Sequence, residues 1–205
     1  MPQQRAMTFL RNGRVDVFWM LPSQQYDREF VRIDVALTEG LIGQKVLLIR
    51  PQDQAKFDVI HSLQDLKESA LTAGLSASWA DAEIWRINGL KSKLYDWSWQ
   101  EIFRDLHDES SGIDYFPRGV NEVVSEIRFY PRLAIEQSLV LIYDRDLSFY
   151  VSHRNKNSET TALLKTAITK ARQSGLIKRL VTEFWGTALT DVNFEERRQL
   201  LLSLP

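Results

Sequence analysis

Glycine ends an amphipathic helical pattern at two places in this chain, and an apolar run follows each time. The first instance runs from Phe9 to Trp19 around Gly13, and the second runs from Ile102 to Pro117 around Gly112. Glycine adopts the left-handed conformation that ends a helix at little cost, and the apolar run is typical of a buried parallel strand. The repeat therefore predicts two similar α/β lobes. In sheets of this kind, ligands bind beyond the carboxyl ends of the strands.

Composition narrows the functional classes. The chain has 205 residues, which is enough for one large domain or for two small lobes with separate cores. Its net charge of -1 argues against a nucleic-acid-binding surface. The absence of cysteine excludes disulfides, thiolate metal sites and cysteine nucleophiles. No stretch approaches the roughly 18 apolar residues that span a bilayer.

The hydrophobic pattern alternates between strand and helix along the chain. Strands are predicted over residues 14–21, 30–37, 44–50, 71–75, 90–95, 112–116, 139–143 and 149–151. Helices are predicted over residues 62–68, 78–88, 98–106, 121–129, 163–174, 176–185 and 194–204, the first three opened by capping boxes at Ser62, Ser78 and Ser98. Residues 22–27 are predicted as a polar loop.

The start of the chain predicts a missing piece. An α/β domain that opens on the tail of a helix lacks its first strand and crossover, so we expect a truncation or a misplaced start codon. Residues 1–7 also lack the apolar core of a signal peptide.

Five motifs, taken in order and spacing, carry a resemblance over nearly the whole chain. They are Gly13-Arg14-Val15-Asp16 with Arg28, residues 47–50, residues 62–67, residues 112–114, and residues 149–152 with Gly175. In this arrangement the chain resembles the type II periplasmic solute-binding proteins, in particular the amino-acid-binding group called solute-binding family three. The resemblance implies a two-lobed α/β fold whose lobe one is incomplete at the N-terminus.

The resemblance also implies an organisation and a function. Residues 1–50 would form part of lobe one with the first hinge strand, 51–145 lobe two, and 146–205 the second hinge strand with helices returning to lobe one. The lobes would close on a small polar or amino-acid-like solute that bears a carboxylate, and would deliver it to an ABC-type membrane permease. A periplasmic monomer without enzymatic activity, cofactor, metal or nucleic-acid partner is expected.

Arg28 is the first candidate ligand contact. In the family that the chain resembles, an arginine soon after the lobe-one Asp strand grips the ligand's carboxylate, for which a planar guanidinium offers two parallel donors. The alternative is a solvated arginine paired with Asp27 or Glu29.

The predicted helix start at Ser78 is the second candidate. Backbone amides at a helix start, with the positive end of the helix dipole, favour an anion. The resemblance transfers the carboxylate contacts of lobe two to Ser76, Ser78 and the amide of Trp79. The alternative is ordinary capping of the helix by Ser78.

The second lobe departs from the family at one position. Where the family commonly has an aspartate that holds an ammonium, this chain has Gly119, between Arg118 and Glu122. Arg118 is a candidate contact for a second anionic group, and Glu122 is a candidate ammonium partner. A structural salt bridge from Arg118 to Glu122 or Glu126 is the alternative.

Five tryptophans are candidates for an aromatic wall against the ligand: Trp19, Trp79, Trp85, Trp97 and Trp99. Of these, Trp19 and Trp79 are the better placed. Trp85 and Trp99 fit apolar helix faces and are predicted to pack in the core. The three histidines are too scattered for a metal site or a catalytic triad.

Three other functions stay open at this stage. A sensory or regulatory domain would use the same fold to report a ligand to a partner protein. An enzyme on a two-lobed scaffold would need convergent acid–base or metal residues, which the sequence does not supply. A remnant with an incomplete lobe one would bind nothing.

Overall fold

The computed structural model describes residues 3–96, 98–156 and 158–205, and by its internal contacts the chain divides into two compact units. Unit 1 comprises the residues up to Gly40 together with Arg145–Phe184, and unit 2 comprises Leu41–Asp144 with Trp185–Pro205. Residues 41–50 and 185–205, which the sequence analysis assigned to lobe one, therefore belong to unit 2. The expected functional lobes stay a prediction.

Nine α-helices and ten strands occur in the described residues. The helices are α1 Gln3–Arg11, α2 Gln24–Glu29, α3 Gln54–Asp58, α4 Leu63–Glu68, α5 Ala80–Ile87, α6 Glu101–His107, α7 Val120–Ile127, α8 Glu159–Gln173 and α9 Leu176–Asp191. The strands are β1 Val17–Met20, β2 Phe30–Ile33, β3 Gln44–Ile49, β4 Thr72–Ser76, β5 Lys91–Tyr95, β6 Tyr115–Gly119, β7 Ala134–Ile135, β8 Leu139–Ile142, β9 Ser148–Ser152 and β10 Arg198–Leu201.

Unit 1 is built on a three-stranded antiparallel sheet in the order β1-β9-β2. Helix α1 ends before Gly13, which has the predicted positive φ of 69°. The strand that follows is antiparallel to β9, so the prediction of a parallel strand at this position is wrong. A small core of Leu10, Met20, Phe30 and Tyr150 is buried in this unit.

Unit 2 contains a seven-stranded mixed sheet in the order β10-β8-β3-β6-β4-β5, with β7 paired to β3. Strand β6 is parallel to β4, and β4 is parallel to β5, whereas β3 is antiparallel to both β6 and β8. The apolar run Val46–Ile49 of β3 is fully buried, because two cores pack on opposite faces of the sheet. Such burial on both faces explains the unbroken apolar run.

Most predicted elements are confirmed, and Ser62 caps α4 as its capping box predicts, accepting a hydrogen bond from the amide of Asp65 at 3.1 Å. The polar loop predicted over 22–27 is wrong, because Ser23 caps the short helix α2. The capping boxes at Ser78 and Ser98 are also wrong. Helices α5 and α6 begin later, after Trp79 and Gln100, and neither of these residues makes a side-chain cap.

The predicted helix over 194–204 is wrong, because this segment forms a short turn and then strand β10. Arg197 lies just before β10 and is buried. Its guanidinium donates to the carbonyls of Val192 at 2.6 Å and Leu139 at 2.9 Å, and it lies 3.6 Å from the carboxylate of buried Glu136. These bonds fix β10 beside β8 in parallel register, from Arg198 opposite Leu139 onward.

Candidate functional site

The candidate site of unit 2 lies at one edge of its sheet, called here the carboxyl edge. Strands β4, β6 and β8 end at this edge, and antiparallel β3 begins there. The residues that these ends place are Ser76, Arg118, Gly119, Tyr143 and Lys45. Parallel strands in α/β sheets present ligand-binding groups at this kind of edge.

Ser76 and Ser78 share a hydrogen bond between their hydroxyl groups, with the oxygens 3.0 Å apart. Ser76 is buried at the end of β4, whereas Ser78 is exposed. The amide of Trp79 donates to the carbonyl of Ser76 at 3.1 Å, so it closes a turn before α5 begins. Ser78 is exposed at this turn, so its hydroxyl is a polar group that solvent or a ligand can reach.

The first turn of α5 carries a buried charge pair that sequence reasoning missed. Asp81 accepts a hydrogen bond from the hydroxyl of Tyr143 at 2.8 Å, and the ammonium of Lys45 lies 3.3 Å from the same oxygen. Both charged side chains are less than a tenth exposed. A carboxylate at a helix N-terminus also interacts favourably with the helix dipole. The three residues fix the start of α5 against β3 and the end of β8.

Arg118 is buried and pairs with two acidic side chains. Its guanidinium makes two hydrogen bonds to the carboxylate of Glu126, at 2.7 and 2.6 Å, and one nitrogen lies 3.0 Å from Glu122. The rings of Trp79, Trp99 and Phe116 lie 5.0–5.2 Å from the guanidinium carbon, a cation–π distance.

The acidic partners stabilise the protonated form of Arg118. Burial lowers the pKa of Arg118, but the hydrogen bond to Glu126 and the charges of Glu122, Glu126 and Asp81 outweigh burial and raise the pKa above its usual value. The salt bridge proposed as the alternative for Arg118 is thus present with both glutamates. Its role as a ligand contact stays a prediction.

An unsatisfied acceptor lies beside Gly119. A methyl group built on Gly119 would lie 2.6 Å from Oδ1 of Asn121 and 3.2 Å from Oε2 of Glu122, so both oxygens pack against this glycine and a larger residue would clash with them. Asn121 Oδ1 is buried, and no donor reaches it within the described part of the chain. Glu122 retains more than a third of its side-chain exposure. One neutral and one charged acceptor therefore lie close to Gly119.

Arg28 lies in unit 1, on α2, and its side chain is exposed. The partners that the alternative reading gave it are used elsewhere. Asp27 accepts from the hydroxyl of Tyr150 at 2.8 Å, and Glu29 pairs with Arg11 at 2.6 Å. Among the described residues no acid pairs with the guanidinium of Arg28, whose backbone carbonyl lies 3.2 Å from a ring nitrogen of His153.

The tryptophans divide between core and surface. Trp85 is fully buried and donates to the hydroxyl of Tyr115 at 3.0 Å, which confirms its predicted place in the core. Trp99 is partly buried and packs against Trp79 and Phe103. Trp19 is 54% exposed on β1 of unit 1, stacked on Phe18. Trp97 lies outside the described residues.

Two kinds of site are not found in the part of the chain that the structure describes. No cluster of three or more histidine, aspartate or glutamate side chains has the arrangement to hold a metal ion. Among the described helices, none combines the length and hydropathy that a bilayer-spanning segment needs.

Solved structures with the same fold identify the class of architecture. The extracellular-binding protein ytmK of a probable amino-acid ABC transporter, from Bacillus subtilis, has a TM-score of 0.65 at 16% identity, over 91% of this chain and 78% of that protein. The substrate-binding protein AbpA from Streptococcus pneumoniae, bound to L-arginine, has a TM-score of 0.63 at 14% identity, over 92% and 75%. An ancestral amino-acid-binding protein, a precursor of cyclohexadienyl dehydratase, has a TM-score of 0.57 at 10% identity, over 87% and 73%.

The chain therefore has the α/β fold of the type II periplasmic binding proteins, as the sequence motifs predicted. All three of these similar structures are of binding proteins. No protein-family model and no curated protein sequence matches the chain.

Proposed function

We propose that this protein binds a small amino-acid-like solute as the substrate-binding component of an ABC-type transporter, in the periplasm. The fold supports the class, since proteins of this fold bind amino acids for ABC transporters. The observation that carries the proposal is the buried, unsatisfied oxygen of Asn121 beside the Glu122 carboxylate at the carboxyl edge. A buried acceptor without a donor is costly, and a ligand that brings a donor removes that cost.

The ligand's ammonium group is the donor that suits this pair of oxygens. The neutral carbonyl of Asn121 and the carboxylate of Glu122 are acceptors, and both lie close to Gly119, where any larger side chain would displace them. In this proposal, Arg118 orients Glu122 through the 3.0 Å contact rather than binding an anion itself, because Glu126 already takes two of its donors.

The ligand's carboxylate is assigned to the turn before α5. The exposed hydroxyl of Ser78, held at 3.0 Å from Ser76, offers a donor at a helix N-terminus, where the dipole favours an anion. Trp79, half-buried beside Arg118, would pack against the apolar part of the ligand.

The ammonium assignment is tested by calorimetry on the native chain and the Glu122→Gln variant, with amino acids and with carboxylic acids that lack the amine. The native chain is expected to prefer the amino acid, and Glu122→Gln should weaken it by tenfold or more, since a hydrogen bond to a charged group contributes about 1.5–3 kcal/mol. Glu68→Gln, at an exposed glutamate of α4, is the matched control. If no amino acid binds or raises the melting temperature of the native chain, the proposed function is wrong.

Arg28 enters the proposal as a candidate contact for the ligand's carboxylate. Its exposed guanidinium, with neighbours that pair elsewhere, supports this role. Arg28→Ala is expected to weaken a carboxylate-bearing ligand by several kcal/mol, because the charge partner of the carboxylate is lost. Arg128→Ala, at an exposed arginine of unit 2, controls for the change in net charge. Equal affinities in the two variants would remove Arg28 from the site.

A further inference from the structure

The helical hairpin of α8 and α9 concentrates positive charge. Residues 160–184 hold five basic side chains and one acidic side chain, that of Glu183, although the whole chain has a net charge of -1. All five are exposed; they are Lys165, Lys170, Arg172, Lys178 and Arg179. Arg172 lies 3.5 Å from Glu39. Of the remaining four, none lies within ion-pair distance of an acid in the described ranges.

The same hairpin exposes large apolar side chains. Leu163 on α8 is 62% exposed, and on α9 Leu180 is 42% and Phe184 is 74% exposed. Leu180 and Phe184 are four residues apart and so lie on one side of their helix. Only Thr161, Ile177 and Val181 of the two helices are buried. Most of the hairpin surface therefore faces outward with both cationic and apolar groups.

We propose that the α8–α9 hairpin, defined here by residues 160–184, is a docking surface for a membrane rich in anionic lipid. Lysine and arginine side chains are attracted to anionic headgroups, and exposed leucine and phenylalanine side chains insert at the boundary between headgroups and acyl chains. The surface lies in unit 1 and contains none of the proposed solute contacts. It adds a second interaction to the protein, reversible and dependent on salt.

A membrane fits this surface better than other anionic partners. Nucleic acid would be held by the cations but would leave Leu163, Leu180 and Phe184 exposed to water, since none of these side chains recognises phosphate. An acidic protein would need an apolar pocket matched to each of these side chains. A lipid surface accepts them without such a match, because the acyl region is apolar throughout.

The test is co-sedimentation of the full chain with vesicles of phosphatidylcholine alone and with vesicles that also contain phosphatidylglycerol. The native chain is expected to bind only the second kind, and less at high salt. The triple variant Lys170→Gln, Lys178→Gln and Arg179→Gln should weaken binding on the order of a hundredfold, from the contribution of each cation near an anionic surface. Phe184→Gln, with its charge unchanged, should weaken binding by about tenfold.

The matched control changes the same number of exposed cations in unit 2. It is Lys91→Gln, Arg128→Gln and Arg132→Gln, at positions where no acid of the described residues forms an ion pair. This triple variant should bind like the native chain, and melting curves should show that every variant is folded. Equal losses in the two triple variants, or no binding of the native chain to phosphatidylglycerol, would overturn the proposal. Binding to polyglutamate in place of vesicles would assign the surface to an acidic protein.

Discussion

Two arginines of this protein, one in each unit, show opposite uses of the same side chain. Arg28 of unit 1 is exposed and lacks an acidic partner among the described residues. Arg118 of unit 2 is buried, pairs with two glutamates and is surrounded by three aromatic rings. A guanidinium whose charge is neutralised inside the protein contributes to stability, whereas one that meets only solvent can bind an anion. The difference favours a structural role for Arg118 and makes Arg28 the better candidate for a ligand contact.

The largest difference between the two arginines is expected in protein stability when each guanidinium is removed in turn. Arg118→Ala leaves Glu122 and Glu126 without their partner at a largely buried site, so the free energy of unfolding should fall by about 3–5 kcal/mol. Arg28→Ala should change it by less than about 0.5 kcal/mol. Urea denaturation of both variants measures the difference. Similar losses in the two variants would mean that Arg28 also has a structural role.

Lys45 extends the comparison to a second buried cation of the carboxyl edge. Lys45→Met keeps the length of the side chain but leaves Asp81 with only its hydrogen bond from Tyr143. We expect a loss of about 2–3 kcal/mol in the free energy of unfolding, because one buried charge then lacks its counterion. The double variant Lys45→Met with Asp81→Leu should recover part of this loss. No recovery would indicate that packing, and not the charge pair, fixes the start of α5.

The ion pair of Arg50 with Asp53 tests whether other buried arginines of unit 2 also depend on an acidic partner for stability. It is buried at the end of β3 and bonds Asp53 at 2.5 Å. Burial raises the pKa of Asp53, but the hydrogen bonds from Lys56 and Arg50 and their positive charges outweigh burial and lower the pKa below its usual value. Asp53→Asn should therefore reduce the free energy of unfolding by about 2 kcal/mol at neutral pH.

The pH dependence of that loss follows from the sign of the shift. A carboxyl group with a lowered pKa in the folded state stabilises the protein above its unfolded pKa, near 3.9, and this stabilisation is lost as pH falls through the lower folded value. The difference between Asp53→Asn and the native chain should shrink as pH falls below about 4. Urea denaturation across this pH range measures it, and a constant difference would show that the charge of Asp53 contributes nothing.

The smallest effect on the free energy of unfolding is expected at Asn121, whose side-chain oxygen lacks a hydrogen bond. Asn121→Ala removes a buried acceptor without a donor, so the ligand-free protein should gain about 0.5–1 kcal/mol in the free energy of unfolding. The same variant should bind an amino acid more weakly. Destabilisation of the ligand-free protein would mean that the carbonyl of Asn121 has a partner after all.

The elements that could be predicted from the sequence are those whose signals are local. The apolar run of β3 and the serine cap of α4 each depend on residues close in sequence, and both are present. Strand β10 could not be predicted in this way, because residues 198–201 become a strand only by pairing with β8, far away in the chain. Helix α2 has no buried residue and depends on its cap at Ser23, so its pattern resembles a loop.

The candidate site likewise has some features that the sequence predicts and others that it does not. Arg118 and Glu122 lie four residues apart, and the sequence analysis named their salt bridge as one possibility. The ion pair of Lys45 with Asp81 was missed. Lys45 lies in a mostly apolar strand, and Asp81 lies in a sequence segment that matched a capping box. The unsatisfied oxygen of Asn121 depends on the arrangement of several groups around it and leaves no mark in the sequence.

Strand β10 has a consequence for the order in which this protein is made. The seven-stranded sheet draws its edge strand from residues 198–201, while the segment Arg145–Phe184 between β8 and β10 belongs to the other unit. During synthesis, β8 therefore has no partner strand on this side while roughly fifty further residues are translated. At about 5–20 residues per second, this takes several seconds. During those seconds an apolar edge is open to wrong partners, so synthesis itself is a vulnerable stage for this chain.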